Sequence, residues 1–335
     1  MKKVISPLLA VLMLVGMLTG CMNQAEKPTV TAAPAGPQAE SAAEEKIKIV
    51  TTIFPEYDWV REILGDKADS AEITMLLDNG VDLHSYQPTA DDIVKLSDCD
   101  LFVYVGGESD GWVEGALKSA ANRDRKVINL LEILGDSVKE EETVEGMQEE
   151  EEDHEEKEYD EHVWLSLKNA KTLVGAISAA LQEIDPDNKD AYAANADAYG
   201  QKLSALDAEY QKAVSAGTYK TLLFGDRFPF RYLVDDYGLS YYAAFVGCSA
   251  ESEASFETVS FLARKVDEGK LPCVLTIEGK NHKIAETIVQ NTAGKNQKIL
   301  TMDSMQSTTS QDVARGTTYL SLMAKNLDVL KEALG

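Results

Sequence analysis

The chain has 335 residues, with 57 acidic against 32 basic side chains and a formal net charge of −25. That balance argues against nucleic acid as a partner and against electrostatic docking on anionic lipid, since both need a basic surface. Histidine and cysteine are scarce, at four each, so every copy is a candidate for chemistry.

At the amino end, Lys2 and Lys3 precede an apolar run over residues 8–18. A positive segment followed by a short apolar one is a secretory signal, too short for a comfortable membrane span. It closes on Leu18-Thr19-Gly20-Cys21. This tetrapeptide is similar to the bacterial lipobox, whose cysteine is acylated and starts the mature chain. Residues 1–20 are the expected signal peptide and Cys21 the expected lipidation site. Two acyl chains hold a protein on a membrane where one does not. Residues 22–45 are rich in Ala, Pro, Glu, Gln and Thr without apolar periodicity. Residues 21–45 therefore read as a lipid-anchored disordered stalk. The expected location is extracytoplasmic, tethered to the cell membrane.

From residue 46, apolar runs of strand length alternate with helical patterns. Strands are expected at 47–53, 72–76, 101–105 and 126–130, with helices near 57–64, 90–96 and 113–121. A second set of strands follows at 220–225, 241–245, 272–277 and 298–302, with helices at 230–237, 256–266 and 284–291. This alternation predicts an α/β fold with parallel sheets covered by helices.

A long helical region separates the two sets. Leu173, Ile177, Leu181 and Ile184 share one face. Asp185-Pro186-Asp187 breaks that helix; Asp185 suits a cap and Pro186 a first helical position. Tyr192, Ala196, Tyr199, Leu203, Leu206, Tyr210 and Val214 then recur at three- and four-residue steps, up to a C-terminal cap at Gly217. About 30 helical residues span about 45 Å, which reads as a stiff strut; a helix packed within one domain is the competing reading. The expected organisation is an amino-terminal α/β lobe over 46–185, a connecting helix over 186–217 and a carboxyl-terminal α/β lobe over 218–335. Residues 140–161 are mostly Glu and Asp and read as an acidic loop that cannot fold alone.

His84 lies in Gly80-Val81-Asp82-Leu83-His84-Ser85-Tyr86-Gln87-Pro88, just after the second strand. Loops at the carboxyl ends of parallel strands are where α/β folds place ligands. His162 lies in Asp160-Glu161-His162-Val163-Trp164-Leu165-Ser166, where the acidic run meets ordered chain. Imidazole is the usual nitrogen donor for zinc, and carboxylates suit zinc or manganese. Taken singly, each histidine is more often structural than a ligand. His154, inside the acidic run, reads as solvated, and His282, next to Lys283, as a surface residue. Cys99 and Cys273 adjoin apolar runs and read as buried core thiols. Cys248 sits in a Gly-Cys-Ser turn and reads as exposed. The spacings match no zinc knuckle or Cys-x-x-Cys motif, and the odd number beyond Cys21 argues against a disulfide framework.

Taken in order, the lipobox, the Gly-x-Asp-x-His-x-Tyr-x-Pro stretch, the acidic insert with Asp-x-His-x-Trp, the long helix and Tyr237-Gly238-Leu239 resemble the metal-binding lipoproteins of zinc and manganese ABC importers. Thr51-Thr52-Ile53-Phe54-Pro55 looks like that family's first strand, and Glu253-Ala254-Ser255 resembles its Glu-Pro-Ser segment. The resemblance covers nearly all of the mature chain. It implies two lobes joined by a rigid helix, with one metal between them held by two ligands from each. His84 and His162 match the first-lobe pair, and Asp303, in Thr301-Met302-Asp303-Ser304-Met305, matches the second-lobe carboxylate.

The fourth position departs from the pattern. The family has His or Glu ten residues before the aromatic of its aromatic-Gly-Leu segment; here that position is Arg227, preceded by Asp226. Arginine stays protonated and offers no lone pair. Asp226 leads the candidates, with Glu251 or Cys248 as alternatives. A three-ligand site with water, in which Arg227 pairs with a carboxylate, is also open.

The implied function is extracytoplasmic capture of a divalent transition metal and delivery to an ABC permease and its ATPase, by a monomer that is not an enzyme. Zinc (Zn2+) stands ahead of manganese (Mn2+), because the acidic insert sits where zinc members carry theirs. A surface adhesin and a metallohydrolase are the alternatives from other classes. His-Glu-x-x-His is not present to support a metallohydrolase.

Overall fold

A computed structural model of the chain describes residues 46–148, 158–249, 253–279 and 281–335. The signal peptide, Cys21, the stalk, His154 and Glu251 lie outside the described residues.

Strands β1 (Ile47–Thr51), β2 (Ala71–Met75), β3 (Leu101–Tyr104) and β4 (Lys126–Asn129) form a parallel sheet in the order β2-β1-β3-β4. Helices α1 (Phe54–Leu64), α2 (Ala90–Asp98), α3 (Val113–Ser119), α4 (Leu130–Leu134) and α5 (Leu167–Ile184) belong to the same lobe, and α6 (Lys189–Ala216) follows. Strands β5 (Thr221–Phe228), β6 (Ser240–Val246), β7 (Cys273–Ile277) and β8 (Lys298–Met302) repeat the arrangement in the order β6-β5-β7-β8. Their helices are α7 (Arg231–Tyr237), α8 (Phe256–Gly269), α9 (Lys283–Asn291), α10 (Ser310–Ala314) and α11 (Tyr319–Leu334). Central strands of such sheets are covered on both faces and need unbroken apolar runs; β7, with every residue buried, is the extreme case.

Several boundaries differ from the sequence-based expectation, each for a local reason. Strand β1 stops at Thr51, because Pro55 suits the first turn of α1 and Glu56 Oε2 accepts from Thr52 N at 2.8 Å and Ile53 N at 3.2 Å. Strand β5 runs on to Phe228, past the expected end at Gly225. A Cβ at Gly225 would lie 2.6 Å from Ala285 Cα, so the glycine lets α9 press on the strand. A register shift between Phe224 and Arg227 then sets the end of β5 apart from regular pairing. Gly217 ends α6 without a left-handed turn; its φ is −64°. What it provides is closeness, since a Cβ there would meet Leu334 Cβ at 2.7 Å.

The 28 residues of α6 give a rod of about 42 Å. It touches α1 and α5 of the first lobe and α7 and α11 of the second. Asn195 Nδ2 donates to Ile63 O at 2.9 Å, and Tyr210 Oη donates to Met323 O at 2.6 Å. The lobes also meet directly. Trp164 Nε1 donates to Ser304 O at 2.8 Å, and Tyr319 Oη donates to Trp164 O at 2.6 Å. One hydrophobic cluster takes in residues of both sheets, from Ile49 to Leu334. No helix among the described residues is long and apolar enough to cross a membrane.

Candidate metal centre

The first lobe supplies two imidazoles from loops at the carboxyl ends of its strands. After β2, Asp82 Oδ1 accepts from His84 N at 3.0 Å and starts a single turn, while the fully buried Leu83 anchors it. After β3, Gly107 has φ of +81°, and a Cβ there would lie 2.2 Å from Glu161 Oε1. That bare backbone lets Ser109 N donate to Glu161 Oε1 at 3.0 Å. His84 Nδ1 faces Ser109 Oγ at 2.9 Å and Glu161 Oε2 at 3.4 Å.

His162 is fully buried, and Asp160 Oδ1 accepts from both its N (2.9 Å) and its Nδ1 (3.0 Å). A proton on Nδ1 leaves the lone pair on Nε2, the tautomer a metal requires. The two Nε2 atoms lie 3.2 Å apart. Tetrahedral zinc with bonds of about 2.0–2.1 Å sets its nitrogens about 3.3 Å apart, so the pair is nearly preformed. Burial first, then the neighbouring His162, hold the His84 imidazole down at about 3. It is therefore a neutral donor at pH 7.

The second lobe closes over this pair. Arg227, at the end of β5, forms an ion pair with Asp82 across the lobes. Gln306, in the loop after β8, is buried beside His162. With its nitrogen donating to Asp82 Oδ1 at 3.0 Å and Oδ2 at 3.2 Å, its oxygen stands 3.2 Å from His162 Nε2. Cys248, in the turn after β6, completes a group in which one ligand atom each from His84, His162 and Cys248 all lie within 4.8 Å of one another. Its N donates to Glu141 Oε1 at 3.1 Å. Burial first, then Glu141, Asp160 and Glu161, push the thiol well above its usual range. It keeps its proton until a metal displaces it.

Among the described candidates, His84, His162 and Cys248 come together, and the carboxylates do not join them. Asp226 ties two strand ends, its Oδ1 accepting from Arg227 N at 3.0 Å and its Oδ2 from Ile277 N at 3.3 Å. Asp303 Oδ1 accepts from Met305 N at 2.8 Å. Burial first, then the nearby Glu278, raise the Asp303 carboxyl to about 6. Cys248 differs from its expected exposure: it is half-buried and turned toward the histidines. His282, expected at the surface, is half-buried at the start of α9. Cys99 and Cys273 are buried free thiols. Asp160 and Glu161 were visible beside His162 in the sequence, and Ser109 stands in the glycine-flanked stretch Gly107-Glu108-Ser109-Asp110-Gly111, whereas nothing in the local sequence marks Gln306.

Two matched α/β lobes that close over paired imidazole nitrogens, with carboxylates behind them, have the architecture of a two-lobed solute-binding protein. Residues 49–333 match the family described as ZnuA, zinc-uptake complex component A, periplasmic; the chain belongs to that family. It is 32% identical over 299 residues to the zinc-binding lipoprotein AdcA of Streptococcus pneumoniae, covering 88% of this chain and 57% of that protein. The chain thus spans little more than half the length of that relative. It is 31% identical over 299 residues to the high-affinity zinc uptake system protein ZnuA of Bacillus subtilis, covering 87% and 88% of the two. The crystal structure of the Zn(II)-bound ZnuA-like domain of AdcA superposes with a TM-score of 0.68 at 30% identity, covering 87% of this chain and 99% of that one.

Proposed function

We propose that this protein captures a zinc ion outside the cytoplasm and delivers it to an ABC permease, the metal being cargo. The observation that carries this reading is the pair of Nε2 atoms 3.2 Å apart, each on a ring whose Nδ1 is held by an acceptor. The ligands we assign are His84 and His162. The names of the AdcA and ZnuA relatives support zinc as the cargo, and the family description supports a role in uptake. We further infer a lipid anchor at Cys21, a monomer, and no turnover. The lipobox and the relative named a lipoprotein support the anchor. A binding role is supported by the site's carboxylates: Asp82, Glu141, Asp160 and Glu161 each already hold a backbone donor.

The test is competition calorimetry on His84→Ala and His162→Ala. Each removes a nitrogen donor and should weaken zinc binding by at least about 100-fold, more than the loss of an outer-shell partner would. The circular dichroism spectrum should not change. Wild-type titrations from both variants would overturn the reading.

A further inference from the structure

We propose that Cys248 is the second lobe's metal ligand. Its Sγ would join the two imidazoles in a nitrogen–nitrogen–sulfur set that takes thiophilic cations, zinc and cadmium, and rejects manganese. This rests on the reading that His84 and His162 capture a metal.

The charged second-lobe candidates near that position are committed elsewhere, and Gln306 brings only a neutral amide oxygen. Arg227 holds Asp82 and has no lone pair to offer. Asp226 caps the backbone of β5 and β7. The turn carrying Cys248 is instead built against the imidazole. A Cβ at Gly247 would lie 2.9 Å from Phe228 O and 3.0 and 3.1 Å from His162 Cε1 and Nδ1. Only glycine lets the turn lie so close to His162. Glu141 Oε1 then accepts from Cys248 N at 3.1 Å, and Arg227 Nη1 donates to Ser249 O at 3.5 Å. Ser249 is buried, and its N donates to Val246 O at 3.4 Å. The turn is thus pinned on both sides of the sulfur.

The sulfur and one nitrogen of each ring lie within 4.8 Å of one another. A tetrahedral zinc set, with Zn–S near 2.3 Å, needs about 3.6 Å between nitrogen and sulfur. The contraction required is on the order of one ångström, within reach of a side-chain rotation. On binding, the thiol proton leaves to solvent and the thiolate cancels one charge of the cation. Thiolate favours zinc, whereas manganese prefers oxygen donors. Two imidazoles and one thiolate leave a fourth position for water or for the Gln306 oxygen, which stands 3.2 Å from His162 Nε2.

Cobalt(II) is the probe, added to protein kept reduced. The wild-type complex should show thiolate-to-cobalt charge-transfer absorption in the near ultraviolet, together with tetrahedral d–d bands. Cys248→Ser, nearly isosteric, should still bind cobalt but lose the charge-transfer absorption. It should bind zinc at least about tenfold more weakly and cadmium more weakly still, with a smaller preference for zinc over manganese. Wild-type protein that binds cobalt without that absorption, or a Cys248→Ser variant with unchanged zinc and cadmium affinity, would overturn the sulfur ligand and leave the capture reading standing. Failure of the capture reading looks different: the wild type takes up neither zinc nor cobalt, or His84→Ala binds both as well as wild type does.

Discussion

Asp58 is 4% exposed, and its Oδ2 accepts from Tyr319 N at 2.9 Å across the two lobes. Burial raises its carboxyl from the ordinary 3.8 to about 7, against the lowering effect of that hydrogen bond. Between these values the folded protein keeps a proton that the unfolded chain has released. Stability contributed by Asp58 is therefore full below about pH 4 and is lost as pH rises through 7. Asp58→Asn retains an oxygen for Tyr319 N but cannot ionise. Urea denaturation should show the variant more stable than wild type at pH 8, with the gap narrowing toward pH 4 by up to about 1.4 kcal/mol per pH unit. A gap that does not change with pH would refute this assignment. Single residues also show where sequence reading stops. His84 and His162 stand out because imidazoles are rare in the chain and each adjoins a carboxylate. Cys248 and Gln306 do not. Their meaning depends on His162, which is far away in the sequence and is brought close only by the meeting of two lobes.

At the scale of elements, the acidic insert divides into a fixed base and a remainder outside the described residues. Glu140 and Tyr159 form an antiparallel bridge, and Asp160 N donates to Lys139 O at 2.9 Å. Glu142 pairs with Arg231, and Gln148 N donates to Ala244 O at 2.9 Å on the edge strand β6. The base of this charge run is thus docked, where the sequence reads as a loop unable to fold alone; basic and backbone partners in the second lobe supply what its own composition lacks. Replacing residues 149–157 by a glycine-serine segment of equal length should leave the tight zinc site unchanged and remove only weak, salt-sensitive binding. Calorimetry that finds the tight site lost would place a ligand such as His154 inside that stretch. Elsewhere the strands were legible because buried parallel strands need apolar runs. The run past Gly225 was not, since its glycine serves a close contact that only the packed α9 reveals. Helices α10 and α11 lie beyond the last expected element, so the contacts of α11 with α1 and α6 could not be foreseen.

Across the whole molecule, the lobes share a core. Trp59 meets Tyr319 edge-on at 5.3 Å, and Tyr319 is bonded at both its N and its Oη to the first lobe. Cutting either lobe away would expose these aromatic faces, so neither is expected to persist alone. Metal-free protein should unfold in urea in one transition, coincident by tryptophan fluorescence and far-ultraviolet circular dichroism. Two separated transitions would show that the lobes are thermodynamically independent.

Lys46 and Gly335 lie on the side of the sheets away from the histidines, which has a practical result. Lys46 leads into β1 at that strand's amino end, while Thr218 N and Tyr219 N donate to Leu334 O at 2.8 and 2.9 Å, which puts Gly335 beside the amino end of β5. The histidines and the cysteine sit past the opposite, carboxyl ends. A fluorophore joined at Lys46 or at Gly335 would therefore sit at the strand ends opposite the paired histidines. Protein immobilised on a sensor chip through Lys46 should report the same zinc response as protein immobilised through Gly335.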